Sequence, residues 1–175
     1  MPGMKGFYRL ALAAAASTLP LSYCALAAGN DDLVRPRVDL SLQGASVLLE
    51  QAVSKAAADH VHPCIAIADA SGNLLAFKRM DGAAPGCVEA AMAKARSAAI
   101  NDIDTQVFYD VARKQNPALG SIPGILPAVA GVVIRQQGAA TGSIGIAGGA
   151  SDAQEQQFAT DLARGFERGL PPNAL

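Results

Sequence analysis

The chain holds no tryptophan, five phenylalanines, three tyrosines and three cysteines among 175 residues. Three cysteines are too few for a disulfide scaffold or a four-cysteine zinc knuckle. Lysine and arginine number 14 against 15 acids, a net charge of −1. No basic excess exists to neutralise phosphates, which excludes a nucleic-acid backbone binder. What the chain does have is 51% hydrophobic residues, too many for a disordered chain and enough for one folded domain at this length. Its core is expected to consist of small residues, Ala, Val, Ile and Leu.

The first segment has a basic start, with Lys5 and Arg9 and no acid, then the Ala/Leu run Leu10–Leu21, then the small-x-small site Ala25-Leu26-Ala27. This is the layout of a secretory signal peptide, and the run is shorter than the roughly 20 residues a membrane helix needs. Residues 1–27 are therefore expected to be removed and the protein exported, to the periplasm or outside the cell, with no membrane attachment afterwards. A lipid anchor on Cys24 is the rival reading, and the bulky Tyr23 before it argues against that. Residues 28–39 read as a flexible arm with Pro36, and residues 40–175 as the domain.

Apolar residues recur at helical steps from Leu42 to Ala56, with Ser41 as N-cap and an end near Asp59. Pro63 keeps His62 out of the helical region. Cys64–Asp69 and Leu74–Met80 form a hairpin across Ala70–Asn73. Cys87–Ile100 is an Ala-rich helix and Thr105–Arg113 a shorter one. A brief edge strand is expected in Ser121–Pro127, then the strand pair Ala130–Arg135 and Ala139–Ala147. A last helix starts at a Ser151/Gln154 capping box and carries Phe158, Leu162 and Phe166. The expectation is an α+β domain with an antiparallel sheet of about five strands flanked by α-helices. Once Cys24 leaves with the signal, Cys64 and Cys87 remain, and the hairpin register sets Cys64 opposite Arg79, where the chain departs toward Cys87. A disulfide between them is expected in an oxidising compartment, with two buried thiols as the alternative.

The chemistry-bearing residues are few. His60 and His62 are the only histidines. Two residues apart on an extended segment, they would point to one face, and imidazole suits a metal or haem iron. With Asp59 they could also form a metal-only site. An ordinary pair of exposed turn histidines is the blander reading. Lys94, Arg96 and Ser97 share a helix, and Arg79 ends a strand. Arg79 and Lys94 could hold a carboxylate or a haem propionate, or simply lie in solvent. Gly142–Gly149 follows a strand and opens a helix, yet has no G-x-G-x-x-G register, so close backbone packing is favoured over an anion site. No nucleophile or catalytic residue stands out. The chain has no C-x-x-C-H, so any haem would be held non-covalently, as haem b.

Three blocks together resemble a known family. The stretch from Ile65-Ala66-Ile67-Ala68-Asp69 through Ser71-Gly72-Asn73 to Arg79-Met80-Asp81-Gly82-Ala83 is similar to the central motif of the GlcG/HbpS family of haem-binding proteins. Ala93–Ala98 is similar to its helix motif, with Ser97 where Thr is usual, and Thr141–Gly149 to its third block. The resemblance spans about Leu40 to Phe166. It implies an antiparallel sheet flanked by helices, usually in oligomers, and haem binding, with haem degradation or iron handling in some members. It supplies no fixed axial ligand. This chain departs from the pattern at Ala128-Val129-Ala130-Gly131, where a di-glycine block is usual, and at His60, which replaces a common Gly. The resulting expectation is an exported haem binder that forms homo-oligomers, with His60, His62, Arg79 and Lys94 at the ligand. The alternative is an enzyme or binding protein for a small organic acid held by Arg79 and Lys94.

Overall fold

Ser41 starts the first helix, α1 (Leu42–Ala58), by accepting the Gly44 N–H on its hydroxyl at 3.1 Å. The computed structural model describes residues 37–169 and Leu33. The expected signal peptide, the rest of the arm up to residue 36 and the chain end from 170 lie outside the described residues. Of the arm, Arg37–Asp39 is tied down: Asp39 accepts the Ala70 N–H at 3.0 Å.

Then come β1 (Cys64–Asp69), β2 (Leu74–Arg79), α2 (Cys87–Asn101), α3 (Thr105–Lys114), a 3₁₀ turn at Pro117–Ser121, β3 (Gly131–Gln136), β4 (Ala139–Ala147) and α4 (Asp152–Glu167). The strands form one antiparallel sheet in the order β2-β1-β4-β3. The fold is thus α+β, with four strands rather than about five. The strand expected in Ser121–Pro127 does not form. Pro123 and Pro127 have no N–H to give a ladder, Gly124 sits at φ +85°, and Ile122 closes a turn with Ile125 instead.

Side-chain size sorts the two faces. Along β1, Ile65 and Ile67 join Val132, Ile134, Ile144 and Ile146 under α1 and α4, where Leu48, Leu49, Phe158 and Leu162 complete the main core. The alternate residues Cys64, Ala66 and Ala68 face Cys87, Ala91 and Ala95 of α2. Glycine lets α2 lie close on this second face: a Cβ at Gly145 would run into the Ala91 carbonyl and the Ala95 backbone. Cys64 and Cys87 are joined, with Cα atoms 5.5 Å apart, so the disulfide pins the start of α2 to the start of β1. Closing a loop of this length is worth about 3 kcal/mol in the chain-entropy model. No helix of the described residues is long and apolar enough to cross a membrane.

Candidate functional site

One end of the sheet gathers most of the candidate residues. There β1 begins, β2 and β4 end, and α2 and α4 start. Cys64 is opposite both Arg79 and Ala147, and Met80 donates its N–H to the Pro63 carbonyl at 3.2 Å.

His60 arrives as the cap of α1. Its φ is +54°, and the bonds His60 N–H to Ala57 O and Val61 N–H to Ala56 O complete a Schellman cap. This is a position that favours glycine, and His60 holds it with a Cβ. His62 leads into β1, and a methyl on Gly82 would lie 3.9 Å from its ring. Both imidazoles are exposed. The left-handed His60 breaks the extended alternation, so sequence spacing no longer sets the two rings on one face. Asp59 pairs with Lys55 at 3.6 Å, and among the described residues no group of three His, Cys, Asp or Glu stands ready for a metal ion. The metal-only site at Asp59, His60 and His62 is not formed.

Arg79 is exposed. It folds Nε and Nη2 onto the Ala83 carbonyl at 3.2 and 2.7 Å, which holds the loop after β2. Its remaining donors meet no carboxylate among the described residues.

Lys94 neither joins Arg79 at a ligand carboxylate nor lies in solvent. Lys94 is 8% exposed, and its ammonium donates to the Ile146 carbonyl at 2.8 Å and to Glu155 Oε2 at 2.5 Å. The reason is helical phase: Lys94 follows Ala91 on the face of α2 turned to the sheet. Ser97 is also buried, its hydroxyl accepting the Leu126 N–H at 3.0 Å. Only Arg96 remains outside, reaching the Gly72 carbonyl at 3.4 Å.

Glu155 is the residue sequence reasoning missed. Its Oε1 accepts the N–H groups of Gly148 and Gly149 at 2.7 and 2.9 Å. The glycine-rich junction is therefore a carboxylate cradle filled by the chain's own side chain. The Gln154-Glu155 pair at the start of α4 was the available signal, and helical spacing from Ser151 puts Glu155 one turn inside. The capping box is also half-formed: Gln154 N–H donates to Ser151 Oγ at 3.2 Å, but Gln154 Oε1 takes the Ala150 N–H.

Comparison with known proteins matches this arrangement to one family. The family described as "Haem degrading protein HbpS-like" matches residues 40–163. The chain is 32% identical over 113 residues to Protein GlcG of Escherichia coli K12, covering 65% of this chain and 84% of GlcG. It superposes on a double mutant of Streptomyces reticuli HbpS with TM-score 0.70 and 30% identity, over 81% of this chain and 96% of the other. It is also similar to a PduOC:haem complex, with TM-score 0.66 and 27% identity over 73% and 94%. A match spanning the sheet, three helices with most of the fourth, and each of the three sequence blocks has one meaning: the chain belongs to the HbpS-like family.

Proposed function

We propose that the chain is an exported protein that binds haem b non-covalently at this end of the sheet. The observation that carries the reading is the family match over residues 40–163, and the similarity to a haem complex supports it. The donor set fits. His62 and His60 are exposed imidazoles for the iron, and Arg79 keeps guanidinium N–H groups for a propionate. Lys94 is not part of the set, because it is buried and donates its hydrogen bonds to Glu155 and the Ile146 carbonyl. Bound haem supplies a redox-active iron whose potential is set by its axial ligand and surroundings. The small-acid reading needed Arg79 and Lys94 together, and the burial of Lys94 removes half of that cradle.

A surface site of this kind gives weak, exchangeable binding. Titration of the mature protein with ferric haem should give a Soret band saturating at stoichiometric haem. His60→Ala with His62→Ala should shift that band and weaken binding, and Arg79→Ala should weaken it without shifting it. A wild type that gives no Soret change ends the proposal; an unchanged spectrum in the double variant moves the iron ligand away from the histidines.

A further inference from the structure

The chain closes one edge of its sheet with its own side chains. On β3 the N–H groups of Gly131, Val133 and Arg135 go to Thr105 Oγ1 at 2.9 Å, Asp104 Oδ1 at 2.8 Å and Glu167 Oε1 at 2.7 Å. The β2 edge is left open. Met80 N–H bonds the Pro63 carbonyl, and in an antiparallel ladder residues directed at the neighbouring strand alternate with residues directed away. Lys78 and Ala76 therefore face β1, while Phe77 presents its N–H and C=O outward. Among the described residues no side chain takes either group.

Phe77 is opposite Ala66 and Leu74 opposite Ala68, so both lie on the α2 face. Beside them an open cleft of about 320 Å³ separates the edge from α2, with Leu74, Met92 and Ala93 as apolar walls. Two charged residues of α2 line the same cleft, Glu89 and Arg96, and both are exposed. Among the described residues neither has an opposite charge beside it. Arg96 reaches only the Gly72 carbonyl, at 3.4 Å, and Glu89 makes no side-chain hydrogen bond or ion pair. The two are two helical turns apart, about 10 Å along α2. The rise from Cys64 to Ala68 on β1 and from Cys87 to Arg96 on α2 is about 14 Å in each. The two elements are tied at Cys64–Cys87 and again at the turn where Arg96 meets Gly72. Phe77, opposite Ala66, thus stands near the level of Met92, midway between the two charges.

We propose that this cleft binds a short extended peptide with free ends, laid antiparallel on β2, its carboxylate on Arg96 and its amino group on Glu89. The direction follows from the charges. Arg96 lies at the Gly72 end, where β2 begins. Glu89 lies toward Cys87, where β2 stops opposite Cys64. A chain running from Glu89 to Arg96 therefore runs against β2, the sense in which ladder hydrogen bonds are perpendicular to the strands. The length follows from the spacing. Three extended residues cover about 10 Å, which sets the middle one opposite Phe77. There the two residues exchange both N–H···O bonds, and the pleat turns the middle side chain to the α2 face beside Met92. An apolar side chain suits that place. Main-chain bonds along an open edge, with a pocket for a side chain, are a recurring mode of peptide recognition. Phe77, Glu89 and Arg96 are not in the haem set, so the proposal does not rest on the haem reading.

The test uses the purified protein and the tripeptide alanyl-leucyl-alanine as probe. Calorimetry should show saturable binding at one site per chain. Acetylating the amino end or amidating the carboxyl end should each weaken binding about threefold or more. In Arg96→Gln the free and amidated peptides should bind alike, and in Glu89→Gln the free and acetylated ones should. Each variant should keep its discrimination at the other end. Both are exposed helix positions, so the unfolding midpoints should stay near that of the wild type. Amide exchange at Phe77 should slow on peptide addition, while that at Lys78, already bonded to β1, should not change. Absence of saturable binding at millimolar peptide overturns the proposal, and so does binding that ignores both end groups. A Phe77 amide already protected without peptide also overturns it, since a second copy would then cover the edge.

Discussion

His60 holds a left-handed backbone position at φ +54°, and its side chain is exposed. A side chain with a Cβ costs about 1–2 kcal/mol there, part of which glycine returns as its own greater loss of freedom. His60→Gly should therefore raise stability by about 1 kcal/mol, read as a higher denaturant midpoint with an unchanged slope. If His60 were the iron ligand, the same variant would also alter the Soret band, so one protein separates the capping role from the ligand role. Lys94 and Glu155 behave in the opposite way. Their side chains are 9% and 11% exposed, and the pair joins α2, β4 and the start of α4. Glu155→Ala leaves a buried ammonium without its counter-charge and two glycine N–H groups without their acceptor. A loss of about 3–5 kcal/mol is expected, measured by chemical unfolding. Lys94→Met should cost less, since Glu155 keeps both N–H bonds. Residue types could not reveal this pair, because each member lies in its own local pattern and their separation in sequence is 61.

The elements were legible where pattern and chemistry agree. Ser41, the helical recurrence after it and the turn residues Ala70–Asn73 are local signals, and α1, β1 and β2 follow them. The prolines limited the strand expected in Ser121–Pro127 to a brief edge strand, and the missing N–H groups of Pro123 and Pro127 exclude even that. The hairpin turn also carries the clearest titration. Burial pushes the Asp69 carboxyl up. Hydrogen bonds from the Asn73 side chain, the Asn73 N–H and the Ser71 N–H, with the charge of Arg37, outweigh that and hold it below the usual aspartate range. A carboxyl depressed in the folded state adds stability above its unfolded value, about pH 4, and that stability is lost as pH falls through the folded value. Asp69→Asn should be less stable than wild type at pH 7. The gap should narrow as pH is lowered below about 4, which unfolding curves at several acid pH values will show.

At the scale of the whole molecule, the order of elements and the family were readable because three separated blocks kept their order, while the contacts between blocks were not. The disulfide is the exception: the hairpin register alone set Cys64 at the end of the sheet where the chain departs toward Cys87. The same whole-chain view bears on the ligand. The main core brings together α1, α4 and three strands through their own apolar side chains, and the candidate imidazoles and Arg79 stand outside it. Folding should then not depend on haem. The haem-free protein is expected to unfold in one cooperative transition with native far-ultraviolet dichroism, and haem should stabilise it by mass action alone, about 2.7 kcal/mol at a hundredfold excess over Kd. The midpoint should climb smoothly with free haem while the dichroism stays unchanged. An apo chain without a cooperative transition would mean that the ligand completes the core, and the binding site would have to be sought inside the sheet rather than at its end.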